Sequence, residues 1–303
     1  MNKIIEVDSF AKSYGSVQAV KDISFYVEEG KLFSFLGPNG AGKSTTIDTL
    51  CTLLDYDAGS IVIDGYDLLK NAQAVRQSIG VVFQDSILDN LLTVRENLLI
   101  RAGLYDIKGA AAKNKVNELI EIIGLKDFSG RLYGKLSGGQ RRRTDIAAAL
   151  LHQPKILFLD EPTTGLDPQT RMVIWETIKN LQAQSGMTVF LTTHYMEEAA
   201  ESDYIVVIDH GEIAAKGTPA EIKTKYASDS LRITPINKER LREQLDEMWI
   251  KFTAANGVFD IKLSDTMESL PILEKCKQNI AGFQVIQGTM DDAFIGITGK
   301  EIR

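Results

Sequence analysis

Cysteine is scarce, with only Cys51 and Cys276 in 303 residues. Two thiols cannot build a disulfide framework, so a small secreted disulfide scaffold is excluded. The plain reading is two buried or half-buried thiols in a chain kept in a reducing compartment. Long apolar runs are missing too. None approaches the ~18 to 20 residues of a membrane-spanning helix, and the N-terminal Met-Asn-Lys-Ile-Ile-Glu-Val-Asp reaches acidic residues too soon for a signal peptide. Proline and glycine, at 7 and 24, are too few for a collagen-like or linker-dominated chain. Positive charge is in deficit: 34 Lys and Arg stand against 41 Asp and Glu, a net −7. That weighs against a nucleic-acid partner, which calls for a basic face. What remains is the composition of a soluble globular chain, 44% apolar. At ~150 residues per domain, its length suggests about two domains.

Local patterns divide the chain. Short β-branched and aromatic runs at Ile4 to Val7, Ile23 to Val27, Lys31 to Leu36, Ile61 to Ile63 and Ile79 to Phe83 predict strands. Residues 86–150 then read as helical. Thr93 and Glu96 form a capping-box pattern, and Val116, Leu119, Ile120 and Ile123 fall on one helical face. Strand and helix alternate again through Ile156 to Leu159, Val189 to Leu191 and Ile205 to Ile208, which argues for a largely parallel sheet flanked by helices. From about Tyr226 the pattern restarts. Leu231 to Ile233, a helix at Lys238 to Leu245, strands at Trp249 to Thr253 and Val258 to Leu263 across Asn256-Gly257, a helix from Asp265 to Cys276 and a strand at Phe283 to Ile286 read β-α-β-β-α-β. That is the order of a ferredoxin-like unit.

Three stretches carry chemistry. Gly37 to Ser44 reads G-x-x-x-x-G-K-S between a strand and a helix. A phosphate chain needs backbone N–H groups turned inward, which glycines permit, and the helix adds its N-terminal partial charge. Lys43 would reach the β- and γ-phosphates and Ser44 would ligate Mg²⁺. Asp160 ends an apolar strand where ligands bind in such sheets, a place for a magnesium carboxylate, and the adjacent Glu161 can orient or deprotonate an attacking water. Ser137-Gly138-Gly139-Gln140 opens a helix and can form a second anion cradle, or a simple helix cap with flexible glycines. His152 and His210 stand in no motif and read as ordinary loop histidines.

Together these resemble the ATP-binding subunit of ABC transporters, along residues 3 to 225. Gly37, Asn39, Gly40, Ala41, Gly42, Lys43, Ser44 and Thr45 match the Walker A loop. Ser137, Gly138, Gly139 and Gln140, after Leu136, match the family signature. Asp160 and Glu161 match Walker B and the catalytic glutamate, Gln84 the Q-loop, Asp167 the D-loop, His194 the switch histidine, and Tyr14 the aromatic that stacks on adenine.

The resemblance implies an α/β P-loop ABC cassette with an all-helical subdomain at 86–150, filling residues 1–225, and a small C-terminal ferredoxin-like α+β domain at 226–303. It implies an ATPase with ATP and Mg²⁺ as cofactors, Glu161, His194, Lys43 and Gln84 as catalytic residues, and Ser44, Gln84 and Asp160 at the metal. Its partners would be an integral-membrane permease at the cytoplasmic face and a second copy of the chain or a paralogous ATPase. Ala148 departs from many members, which place arginine there. Arg141-Arg142-Arg143, Asp145 and the run Glu161 to Pro168 look like the branch that serves ABC-2 type exporters, drug-resistance and sodium-extrusion pumps among them. The stretch Thr289 to Phe294, followed by Thr298-Gly299, resembles that branch's ending. The alternatives are a non-transport ABC ATPase acting as a regulatory or mechanical switch, and a module that holds ATP without turnover.

Overall fold

The computed structural model describes residues 2–299. The chain divides into two compact units, 1–216 and 217–303. The first holds two sheets. Strands β1 (Lys3–Tyr14), β2 (Val17–Glu28), β4 (Ala58–Ile63) and β5 (Tyr66–Asp67) form an antiparallel sheet in the order β2-β1-β4-β5. Strands β3 (Leu32–Leu36), β6 (Ile79–Val82), β7 (Ile156–Asp160), β8 (Thr188–Thr193), β9 (Tyr204–Asp209) and β10 (Glu212–Gly217) form the second, ordered β10-β9-β3-β8-β7-β6. From β9 through β6 its neighbours run parallel. The alternation of strands and helices accounts for this parallel sheet. It does not account for β1, β2 and β4, which leave it to pair among themselves.

Helices α1 (Lys43–Leu50), α2 (Ala72–Ser78), α6 (Pro168–Ser185) and α7 (Met196–Ala199) belong to this frame. Between β6 and β7 the chain is helical: α3 (Val94–Leu104), α4 (Gly109–Ile122) and α5 (Gly138–Ala149). The Thr93–Glu96 capping box opens α3, with Glu96 N–H donating to Thr93 Oγ1 at 3.2 Å and Thr93 N–H to Glu96 Oε2 at 2.8 Å. Val116, Leu119 and Ile120 of α4 share one apolar cluster with Leu157 and Leu159 of β7 and Ile174 and Ile178 of α6. The insert is therefore packed into the main core and is not a free appendage. Five strands end at the same edge of the parallel sheet, and the loops leaving β3, β6, β7 and β8 carry the motif residues.

The second unit runs α8 (Pro219–Tyr226), β11 (Asp229–Pro235), α9 (Lys238–Glu247), β12 (Phe252–Ala255), β13 (Val258–Leu263), α10 (Ser269–Cys276), β14 (Ile280–Ile286) and α11 (Met290–Thr298). Its sheet is antiparallel, ordered β12-β13-β11-β14. Positive φ values of 52° at Asn256 and 83° at Gly257 supply the tight turn between β12 and β13. Two readings of the sequence shift. The pattern break near 226 falls at the end of α8, which sorts with the second unit because it packs on α11. Trp249, expected inside a strand, lies before β12, 94% exposed with φ 57°.

Candidate functional site

The phosphate-loop motif lies where β3 meets α1. Gly37 is buried, and a Cβ there would sit 2.3 Å from the Ile208 carbonyl oxygen. Gly42 has φ 110°, and its Cβ would meet the Ala19 carbonyl oxygen at 2.6 Å. Both positions exclude a side chain by contact with backbone, which cannot swing away. Asn39 and Gly40 are exposed, Ala41 is buried, and Ser44 and Thr45 open α1 with Ser44 facing solvent. Lys43 is 5% exposed. Its Nζ donates to the Gly37 carbonyl at 2.8 Å and the Pro38 carbonyl at 3.3 Å. Burial pushes this ammonium below the usual lysine range, and the carboxylates of Glu161 and Asp160 oppose that.

The ends of β7 and β8 bring the remaining groups to Lys43. Glu161 Oε1 lies 3.6 Å from Lys43 Nζ and 3.3 Å from His194 Nδ1. The His194 contact lacks hydrogen-bond alignment, and Nδ1 is buried with no hydrogen-bond partner. Glu161 has φ 43°, a left-handed backbone that a side chain rarely adopts. Strain of this kind costs about 1 to 3 kcal/mol and persists only where surroundings enforce it. Here the Glu161 N–H donates to both the carbonyl and the Oγ1 of Thr192, each at 3.1 Å. Thr192 Oγ1 in turn donates to Asp160 Oδ1. Burial raises the Asp160 carboxyl above its ordinary value, and the Thr192 hydrogen bond pulls it back.

Other motif residues stand further off. Gln84 is exposed, two residues past β6. The parallel pairing of Val82 with Leu159 puts its loop beside the end of β7. Tyr14 is 49% exposed at the turn between β1 and β2, with Lys12 Nζ 5.7 Å from its ring centre. Asp167 caps α6: its Oδ1 accepts from Thr170 N–H at 3.0 Å and its Oδ2 from Thr170 Oγ1 at 2.6 Å, which holds its carboxyl below the usual range. Ser137 caps α5 through a capping box with Gln140, at 3.3 and 3.1 Å. Among the described residues, no hydrogen bond joins Ser137 to Gln140 with the phosphate loop. So the structure gathers Lys43, Asp160, Glu161 and His194 in one place, and leaves the signature turn elsewhere in the chain.

Some residues that shape the site are not among the site candidates the sequence offers. Thr192 is one. Glu198, buried in α7, accepts hydrogen bonds from Thr163 Oγ1 and from Thr193 Oγ1, the latter at 2.6 Å. It ties the turn after Glu161 to the strand that ends before His194. Arg142 is 6% exposed and bonds the turn's carbonyls from the other side. The signature glycines also have a packing role: a Cβ on Gly139 would meet Thr170 Cγ2 at 2.2 Å, and one on Gly138 would meet Leu166 Cδ2 at 2.8 Å.

The chain is similar to known proteins. A family model described as ABC transporter matches residues 20–164. The daunorubicin/doxorubicin resistance ATP-binding protein of Streptomyces peucetius is 37% identical over 98% of this chain and 93% of its own length. The linearmycin resistance ATP-binding protein of Bacillus subtilis is 41% identical over 99% of this chain and 100% of its own. A solved ATP-binding cassette, dimeric in a post-hydrolysis state with ADP and Pi, superposes with a TM-score of 0.64 at 29% identity, covering 71% of this chain and 98% of that one. Identity of this extent across the whole chain, together with the cassette fold, places the chain in the ABC transporter family as an ATP-binding protein and an ATPase.

Proposed function

We propose that this chain is the ATP-hydrolysing subunit of an exporter, working with Mg²⁺ as a dimer that sandwiches ATP and driving a separate ABC-2 type membrane permease from its cytoplasmic side. The observation that carries the hydrolytic reading is the placement of the Glu161 carboxylate between Lys43 and His194 on a strained backbone. In this reading Lys43 turns from the loop carbonyls to the β- and γ-phosphates. Glu161 takes a proton from the attacking water, whose oxygen bonds to the γ-phosphorus as the bond to the β–γ bridging oxygen breaks, leaving ADP and phosphate. His194 holds the γ-phosphate side of the site, and Tyr14 receives the adenine.

Ser44, Asp160 and Gln84 fit a magnesium ion. They offer hard oxygen donors, Ser44 is exposed at the start of α1, and Asp160 is a half-buried carboxylate whose charge a cation would offset. The described residues hold no cluster of three or more acidic, histidine or cysteine ligands. Bound there, it would neutralise charge on the β- and γ-oxygens.

Ser137, Gly138, Gly139, Gln140 and Asp167 would serve a nucleotide held by the second copy of the chain, because their own chain brings them to no phosphate loop. Among the described residues no helix is long and apolar enough to cross a membrane, so the permease is a separate partner in this reading. The relatives' names, daunorubicin/doxorubicin and linearmycin resistance, support export as the work done. The stretch at 226–303 is read as a ferredoxin-like accessory domain, on the β-α-β-β-α-β order from β11 to β14 and its antiparallel sheet.

The deciding experiment is Glu161→Gln in the full chain, with a magnesium-free control. Expected are ATP affinity near wild type, turnover reduced by about a hundredfold or more, and accumulation of an ATP-dependent dimer by light scattering. Retained turnover would remove Glu161 as the main catalyst.

A further inference from the structure

The three guanidinium nitrogens of Arg142 each donate to a backbone carbonyl, and those carbonyls belong to different turns of the site. Nε donates to Pro162 at 2.7 Å, Nη2 to Asp160 at 2.7 Å, and Nη1 to Phe83. The first two flank Glu161, the residue with φ 43°. The third immediately precedes Gln84. Arg142 itself lies on α5, little more than one turn beyond Ser137, its N-cap. The nearby Asp145 carboxylate is taken by Ser86 Oγ at 2.7 Å and Tyr133 OH at 2.9 Å, so the fork of Arg142 is spent on backbone. Carbonyls at the end of β7 and in the following turn have no ladder partner in that direction, and a planar, always charged fork is the side chain that can satisfy several at fixed angles.

We infer that Arg142 is a positioning residue for ATP hydrolysis: it carries the placement of the signature turn at Ser137 onto the backbone of Glu161 and onto the start of the Gln84 loop. This rests on the ATP-sandwich reading, in which Ser137 meets the partner's nucleotide while Glu161 serves its own. A helix moves as a rod over so short a span. A shift of Ser137 on contact with nucleotide therefore reaches Arg142, and Arg142 can move the two peptides that hold Glu161 in its left-handed conformation. One buried side chain then couples the two sites of the dimer.

The test compares Arg142→Lys and Arg142→Met in the full-length chain, alone and with Glu161→Gln. Lysine keeps the charge but cannot bond three divergent carbonyls. Expected for Arg142→Lys is a kcat lowered about tenfold or more with the KM for ATP within about twofold, the signature of an interaction that matters in the transition state. Its melting temperature should fall by a few degrees at most, the cost of one or two unmet carbonyls, and the double variant with Glu161→Gln should still dimerise on ATP. Wild-type kcat in Arg142→Lys overturns the inference. So does loss of kcat in Arg142→Met that lysine fully restores, since charge alone would then suffice. A rise in KM matching the fall in kcat, with a melting temperature lowered beyond those few degrees, also overturns it and leaves a merely structural arginine. If Glu161→Gln alone fails to dimerise on ATP, the sandwich reading falls first, and coupling between sites falls with it.

Discussion

The turn at Gly37–Ser44 and the turn at Ser137–Gln140 both enter a helix through glycines, yet the glycines are there for different reasons. In the first, Gly37 and Gly42 are hemmed in by the carbonyl oxygens of Ile208 and Ala19. Its N-cap, Gly42, offers no side chain, so no capping hydroxyl competes for the first amides of α1. In the second, Gly138 and Gly139 are hemmed in by side chains, Leu166 and Thr170. Its N-cap hydroxyl already accepts from Gln140 N–H. The first turn is closed in by main chain, with Lys43 folded back onto its carbonyls. The second is a finished helix start that offers its remaining groups outward. This difference can be broken in graded steps.

The largest effect is expected at Gly37. Its added methyl group would meet main chain at 2.3 Å, and nothing there can rotate aside. Gly37→Ala should cost about 3 kcal/mol or more, the upper end of overpacking, read as a lower urea midpoint. Lys43→Ala is next. On the proposed reading it removes a charge-assisted partner of the phosphates worth about 1.5 to 3 kcal/mol, so nucleotide affinity should fall roughly ten- to a hundredfold. Thermal stabilisation by added ATP should fall with it. Affinity unchanged in this variant would sink the phosphate-loop assignment.

These steps also show what a sequence reveals and what it hides. Lys43, Asp160 and Glu161 stood out because phosphate chemistry demands certain residue types at adjacent positions. Their convergence with His194 was a different matter. It comes from β3, β7 and β8 lying side by side, a long-range pairing that no local pattern displays. The same limit hid the antiparallel sheet. β1 and β2 are each 12 residues long, but register shifts at Val7 to Phe10 and Phe10 to Ser13 break their alternation, so only fragments read as strands. The roles of Arg142, which stands in the arginine run that carries the likeness to a family branch, and of Glu198 were hidden for a third reason. Apart from Thr193, their partners are backbone carbonyls and a threonine hydroxyl 18 to 59 residues away, and such partners leave no motif. In the second unit, α11 opens with a Thr289–Asp292 capping box that the sequence contains in plain view.

Gly139 offers a smaller and cleaner test of the comparison. The obstruction there is one methyl group, Thr170 Cγ2. Gly139→Ala should destabilise by about 1 to 2 kcal/mol, less than a backbone clash, because a side chain can yield. Adding Thr170→Ser deletes that methyl and keeps the hydroxyl that bonds Asp167. The double variant should recover wild-type stability or exceed it, since alanine favours a helix over glycine by about 1 kcal/mol. Failure to recover would mean that the glycine is required by its backbone and not by α6, and the two turns would then be alike.

The smallest step separates the two duties of Ser137. As an N-cap it is worth about 1 kcal/mol, so Ser137→Ala should lower stability by that amount. If its outward face also meets the partner's nucleotide, turnover should fall while ATP binding by the monomer stays intact. Alanine alone cannot distinguish these, because a frayed α5 would disturb both. Ser137→Asp can. Aspartate caps as well as serine, so unfolding should be unchanged, but its carboxylate would face phosphate across the dimer and be repelled. A stable variant with little turnover assigns Ser137 to the shared site. A stable variant with full turnover leaves it a cap and nothing more, and the two glycine-rich turns would then differ in function as well as in construction.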